Sequence, residues 1–400
     1  MWSYRVKRYV LKFIVAAFFC SILTSCWDQV EINQLAIVNM AGVDRNPKNG
    51  NFEVYYQVIN PSGMSGQTGA SIKAPVYVYK VEGKHVGVTA NKSNISIPRE
   101  LFADHYQIII ISKKLAQEGM REYLNFTEQQ PDRRTTVHMV IADSPIPDIM
   151  NTFTPLERLP GRSLKSSINN ASKFTGKISE FSRVKDVLKQ MESSKLTLLP
   201  IIKLSTSKQE STSSRFEQID ADKGNIRFDG AALIKHGRMI GEINSKQAIW
   251  YNLLNNQLHS FIQDVEFPDK QVLEVQVDGS PKVSNKLMFA SGHPSLRVNI
   301  RLKLKIISNT LNELLTEDKI NEIEDRLNQK VYEQATTFLE YSQSKDWDVL
   351  SIEEQLKKKR GSSWNQFQND PEYWKKVNIA LKIQSKVTTT GTSIHPYKGD

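Results

Sequence analysis

Two thiols are the most reactive groups in this 400-residue chain, and both lie near its start, at Cys20 and Cys26. The remainder can therefore build no disulfide, thiolate metal site or cysteine-centred catalytic pair. Seven histidines follow, at positions 85, 105, 138, 236, 259, 293 and 395. None stands four residues from another and no HExxH occurs, so the spacing that places two imidazoles on one helix face for a metal is missing. His105, directly before an apolar run, reads as a structural residue with a satisfied hydrogen bond. Ser182 and Lys185 have the SxxK spacing without the SDN or KTG partners that would complete such a site, and there is no GxSxG elbow. Glycines at 61–71 lack the spacing of a phosphate cradle, and carboxylate pairs occur only as helix-surface charges. The residue types thus point away from an enzyme, a resident metal or a cofactor.

Cys26 is the exception because of what precedes it. Residues 1–12 carry Arg5, Lys7, Arg8 and Lys12 with no acid, and residues 13–23 form an 11-residue apolar run. Such a run is too short to cross a bilayer core, which needs about 20 apolar residues, and suits the apolar region of a secretory signal. Leu23, Thr24, Ser25 and Cys26 then stand in an order that resembles the lipobox of bacterial lipoproteins. That resemblance implies a signal peptide over 1–25, cleavage before Cys26, and covalent diacylglycerol on its sulfur. Two acyl chains anchor stably where one is marginal. No later segment reaches 18 consecutive apolar residues, so the expected mature protein is tethered outside the membrane.

Composition agrees with a folded body: 39% of residues are hydrophobic and 24% charged, far from disordered or multi-span membrane chains. The net charge of +10 falls to +6 once the four leader cations are removed. That value suits an anionic membrane surface and equally an ordinary soluble protein.

The pattern of elements is α+β, in two to three domains with mostly antiparallel sheets and packed helices. Residues 52–59 and 75–81 read as strands around the flexible stretch 61–71, residues 113–128 as one helix, and 163–194 as two helices broken near Gly176. Composition turns Ser/Thr-rich over 203–224, which reads as a linker between an N-terminal domain, 26–202, and a C-terminal domain, 225–400. The second part opens with a hairpin over 226–243 turned at His236 and Gly237, followed by strands near 272–277 and 283–289.

Residues 296–306 alternate most clearly, with Leu296, Val298, Ile300, Leu302, Leu304 and Ile306 on one side. Arg297, Asn299, Arg301, Lys303 and Lys305 take the other, so the sheet must have one buried and one wet face. A long amphipathic helix at about 317–345, capped by Thr316, is expected to cover the buried one, and a strand through Val377, Ile379, Leu381 and Ile383 to rejoin the sheet. The basic row of Arg297, Arg301, Lys303 and Lys305 is either a solvated face or a docking surface for anionic lipid or an acidic partner. Nucleic acid is disfavoured by compartment and by the lack of interleaved aromatics. Trp347, Trp364 and Trp374 read as core anchors, with an exposed contact surface as the other option.

The run Cys26, Trp27, Asp28, then Glu31, Ile32, Leu35 and Ala36, resembles the opening signature of the spore germination lipoproteins, the C-subunits of the nutrient germinant receptors of endospore-forming bacteria. Gln29 and Val30 stand where that family shows two arginines. Further matches in the family's order include Leu115 with Ala116, Leu199 with Pro200, Gly230 to Leu233, and Asp348 to Leu350. The resemblance implies several α+β domains and a non-enzymatic, lipid-anchored subunit at the outer face of the spore's inner membrane. Its implied partners are integral-membrane receptor subunits, with no direct binding of a small molecule. The rival reading is an extracytoplasmic solute-binding lipoprotein of an importer, which would fold as two α/β lobes with parallel sheets.

Overall fold

The computed structural model describes residues 6–15, 31–64, 74–130, 134–152, 154, 156–205, 226–290, 293–311, 313–359, 370 and 372–390. They form an α+β structure with two mixed sheets. The first sheet holds β1 (Leu35–Arg45), β2 (Phe52–Ile59), β3 (Val76–Gly83), β4 (Glu100–Phe102), β5 (Ile108–Ser112), β6 (His138–Ala142), β7 (Thr197–Leu204), β8 (Ile226–Lys235) and β9 (Arg238–Ile243). Their order is β3-β2-β1-β5-β6-β7-β8-β9, with β4 beside the start of β1.

Strands β1, β5, β6 and β7 run parallel at its centre. Every residue of β5, IIIIS, and of β6, HMVIA, is buried, as continuous apolar strands require cover on both faces. Since successive side chains alternate sides, Ile109, Ile111, Met139 and Ile141 enter one core with Leu115, Leu124, Val184 and Val187. Ile108, Ile110 and Val140 enter the other with Ile146, Ile149, Leu164 and Ile168.

The helices supplying these layers are α1 (Pro61–Met64), α2 (Val86–Ser96), α3 (Lys113–Glu118), α4 (Arg121–Glu128), α5 (Ile146–Met150), α6 (Pro160–Phe174) and α7 (Val184–Gln190). The single helix expected over 113–128 is two, because Gly119 takes φ +127° and the Met120 N–H donates to the Gly237 carbonyl at 2.8 Å. Only glycine reaches that backbone region without strain. The stretch 61–71 opens as the short α1, and residues 65–73 lie outside the described set.

The second sheet holds β10 (Phe261–Glu266), β11 (Val272–Val277), β12 (Lys282–Ala290), β13 (His293–Asn309) and β14 (Asn378–Thr389). β13 pairs antiparallel with β11 and β12 on one side and parallel with β14 on the other. Behind it lies α9 (Glu317–Ser344), after α8 (Ser245–Leu254) and before α10 (Ile352–Lys358). The Thr316 side chain accepts from the Lys319 N–H, capping α9 as its sequence requires. Ile323, Leu327, Val331, Ala335, Phe338 and Leu339 of α9 pack in one core with Leu296 through Ile306 of β13. Over both sheets seven strand pairs are antiparallel and five parallel, so the antiparallel majority is narrow.

The stretch 203–224 was expected to divide the chain into two halves, and the first sheet runs past it. β8 and β9 pair onto β7, so the hairpin assigned by sequence to the C-terminal part completes the N-terminal sheet. The reason is burial: β7 is buried from Thr197 to Ile202, and a strand apolar on both faces cannot be left as an edge. Residues 206–225 themselves lie outside the described set.

A joint follows from this arrangement. Leu196, just before β7, and Leu198, Ala231 and Leu233 of the first sheet share a core with Tyr251 and Leu254 of α8, and with Trp347 and Leu350 beyond α9. The Tyr251 hydroxyl donates to the Leu196 carbonyl at 2.8 Å, and Asn255 Nδ2 to the Val349 carbonyl at 3.0 Å. Lys235 and Glu353 pair across it at 3.4 Å.

Candidate functional site

Leu23, Thr24, Ser25, Cys26, Trp27 and Asp28 lie outside the described residues. Their neighbours are informative. Glu31 and Ile32 are exposed at a short turn over Ile32–Gln34, after which Leu35 is half-buried and Ala36 buried as β1 begins. The signature therefore ends inside the first sheet, in the strand that β2, β4 and β5 all contact. Residues 6–15 are helical and exposed, and among the described residues no helix is long and apolar enough to cross a membrane.

The basic row lies where its alternation places it. Arg297, Arg301, Lys303 and Lys305 project from the wet face of β13, while Leu296, Val298, Ile300, Leu302, Leu304 and Ile306 are buried against α9. Strand pairing widens the row into a face. Lys282 and Lys286 of β12 stand directly opposite Arg301 and Arg297. On the other side Lys386 of β14 stands beside Lys303, and Lys382 beside Asn299. All eight cations are exposed, and β12, β13 and β14 contain no Asp or Glu.

Three of these juxtapositions, Lys282 with Arg301, Lys286 with Arg297 and Lys303 with Lys386, are like-charge cross-strand pairs. Such neighbours have Cβ atoms about 5 Å apart and destabilise a sheet. Among the described residues only Lys386 has a carboxylate within 4.0 Å, Glu324 of α9 at 3.8 Å; the other seven have none. One strand's alternation reveals four of the eight cations. The other four carried a signal too, since their strands are also acid-free, but assigning them to the same face requires the register.

The buried polar groups behave differently. His138 Nδ1 lies 2.9 Å from Ser182 Oγ, a distance at which an imidazole could serve a nucleophile, and the two are 44 residues apart in sequence. Both are buried, and neither is among the residues lining the cavity that Asn169 borders. Burial first, then the charges of Arg183 and Lys165, push the His138 pKa down to about 4, against the hydrogen bond of Asn169. A neutral imidazole holding a buried hydroxyl is a structural pair. His105 has Arg134 Nη2 3.4 Å from its Nε2 and Phe102 beside its ring, and His259 lies between Glu180 at 3.4 Å and Ser280 at 3.1 Å. Trp347 and Trp374 are buried; Trp364 lies outside the described residues.

A cavity of about 520 Å³ lies between the end of α6 and the turns of the second sheet, lined by Asn169, Lys173, Glu180, His259 and Asp278. A groove of about 560 Å³ runs between α8, β10 and α9, with Trp250, Ile262, Asp264, Gln334 and Tyr341 on its walls. Among the described residues no three His, Cys, Asp or Glu side chains gather as a metal site would need.

Comparison with known proteins agrees with the resemblance read from residues 26–36. Residues 28–204 match the family described as "Spore germination protein N-terminal domain", and residues 229–392 that described as "Spore germination B3/GerAC like, C-terminal". Spore germination protein KC of Bacillus subtilis is 24% identical over 399 residues, covering 94% of this chain and 95% of that protein. Spore germination protein GerQC of Bacillus cereus is 21% identical, covering 97% of this chain and all of that one. The crystal structure of the GerBC protein aligns with a TM-score of 0.54 and 13% identity over 87% of this chain and 97% of that one, which establishes a shared fold. With both domains matched in order, the chain belongs to the spore germination protein family of germinant-receptor C subunits.

Proposed function

We propose that this chain is a lipid-anchored, non-catalytic subunit of a spore nutrient germinant receptor, which assembles with integral-membrane subunits at the outer face of the spore's inner membrane and takes part in assembly or signalling during germination. The observation that carries the reading is at the N-terminus. The family match begins at residue 28, two residues after the cysteine of the lipobox-like sequence Leu23 to Cys26. Eight residues lie between Cys26 and Leu35, so an acylated Cys26 would hold the start of β1 within about 30 Å of the bilayer. A short tether of this kind suits a protein that acts by contact with membrane neighbours.

The solute-binding alternative fits the fold less well. Two similar α/β lobes would repeat one topology, whereas here a parallel-centred sheet covered on both faces adjoins a one-sided, largely antiparallel sheet. Replacement of Cys26 by alanine tests the anchor, because no other thiol stands at the processing position. Membrane-extracted wild-type protein should have an intact mass that starts at Cys26 and includes diacylglycerol, and Cys26→Ala should accumulate the uncleaved chain. A wild-type mass without lipid, or one beginning elsewhere, would refute the assignment. Affinity purification from spore membranes, with co-purifying integral-membrane receptor subunits identified, tests the assembly.

A further inference from the structure

We propose that the wet face of the second sheet is a docking surface for an anionic lipid bilayer, its lysines and arginines lying among the phosphates of acidic headgroups. The argument begins with stability. Lys282 with Arg301, Lys286 with Arg297 and Lys303 with Lys386 are like-charge cross-strand pairs, and three adjacent strands offer them no carboxylate. A sheet selected for stability alone would place opposite charges there. Among the described residues these three strands bring positive charge together without an acid of their own, Glu324 beside Lys386 being the one carboxylate within 4.0 Å and Glu274 and Asp278 following the β11 side of β13, so the face is suited to a counter-charge brought by a partner.

Shape and composition decide which partner brings it. The face is the open side of a sheet whose other side is filled by α9, so it presents its cations in a broad exposed array. Six of the eight cations are lysine, a compact point charge suited to phosphate contact without fixed geometry. Ser284, Asn299, Ala380 and Gln384 fill the spaces between them; no aromatic side chain does, and the large apolar residues Met288 and Ile307 stand at the ends. Protein interfaces have the opposite character, with lysine depleted and aromatic anchors at the centre. An anionic bilayer asks only for dense positive charge on an accessible surface, and each cation near it strengthens binding about five-fold. The inference accompanies the reading of a body tethered at Cys26, but the face itself requires no tether.

The test uses the full chain with Cys20→Ser and Ser284→Cys, fluorophore-labelled at position 284 on the cationic face, and a matched chain lacking Ser284→Cys for background. It is mixed with phosphatidylcholine vesicles, or with vesicles half phosphatidylglycerol, each carrying a headgroup quencher. The label should be quenched on anionic vesicles and not on neutral ones, and should recover as salt shortens the screening length. The triple variant Arg297→Gln, Arg301→Gln, Lys303→Gln should lower the ratio of docked to undocked protein about a hundred-fold. Its melting curve is checked against wild type; should it fail to fold, Lys303→Gln alone with the salt titration gives the same reading at about five-fold. No quenching on anionic vesicles, equal quenching on neutral ones, or quenching that survives salt and the triple variant would overturn the proposal. An acidic protein captured by a face that ignores anionic vesicles would also overturn it. The anchor and the face fail separately: without an anchor the chain would not float with neutral vesicles, yet the label would still be quenched on anionic ones.

Discussion

Gly241 and Trp347 provide the most direct test of how the two sheets are joined. Gly241 lies in β9, and a Cβ built on it would stand 2.0 Å from Trp347 Cζ2, 2.7 Å from Cε2 and 2.9 Å from Cη2. Ordinary carbon contacts begin near 3.5 Å, so Gly241→Ala forces the indole back by more than 1 Å. The backbone at Gly241 is not in the left-handed region, so the effect is steric and no backbone strain enters. Trp347 is buried, with its ring edge-on to Tyr341 at 5.8 Å between centroids, and cannot withdraw without leaving the core it shares with Leu233 and Leu350. Overpacking a core costs about 1–3 kcal/mol and removing a buried Trp about 3–5 kcal/mol, which brackets Gly241→Ala near 3 kcal/mol. Trp347→Phe removes the clashing ring carbons and leaves space for the new methyl. The double variant should therefore be about 1–2 kcal/mol more stable than the two single losses predict by addition. Urea unfolding of the four proteins, followed by far-UV circular dichroism, measures the cycle. Wild-type stability for Gly241→Ala, or strict additivity of the pair, would refute the seating of Trp347 on β9.

Three further predictions follow the same logic. His138 should remain neutral in the folded protein well below pH 6.5; its pKa near 4 means that its contribution, about 3 kcal/mol, is full above pH 6.5 and is lost as pH falls toward 4, so His138→Gln should flatten the acid limb of a pH–stability profile. Asp348 has the opposite sign: burial raises its pKa to about 6, against N–H donation from Ile352 and Glu353. Its contribution, about 3 kcal/mol, is present below pH 3.8 and lost as pH rises through 6, so Asp348→Asn should steepen that limb between pH 6 and 4. On β13, Leu302→Ala should cost about 2–5 kcal/mol by opening a cavity under α9, whereas Arg301→Glu with Lys303→Glu should leave thermal melting unchanged or raised, because each reversal turns a like-charge pair into an opposite one. A substantial loss of stability on charge reversal would mean the face is held by contacts that its exposure does not reveal.

Local periodicity accounts for what the chain discloses before folding. The strand over 296–306, the helix that runs Glu317–Ser344 and the hairpin turned at His236 and Gly237 each repeat an apolar spacing within one element, and each forms with nearly the expected bounds. His236 and Gly237 both take positive φ, 49° and 74°, as a two-residue hairpin turn requires. What stayed hidden depends on pairing between distant segments. The hairpin after the Ser/Thr-rich stretch gives no sign in its own sequence that it pairs with β7, which is apolar on both faces and needs a neighbour. His138 and Ser182 carry no shared motif and meet where Met139 donates to the Ser182 carbonyl and Val184 to the Val137 carbonyl, folding one segment back on the other.

The basic surface illustrates the same limit with a consequence for function. Four alternating cations on one strand are an ordinary solvated face, worth little as evidence. Register changes their meaning, because Lys282, Lys286 and Lys386 come to stand against Arg301, Arg297 and Lys303 when they might have paired with acids. Each such contact opposes the pairing of the strands that create it. The stability of this sheet must then rest on the other face, where Leu296 through Ile306 meet α9, and this is why truncating Leu302 should lower melting while reversing Arg301, adjacent in sequence, should not.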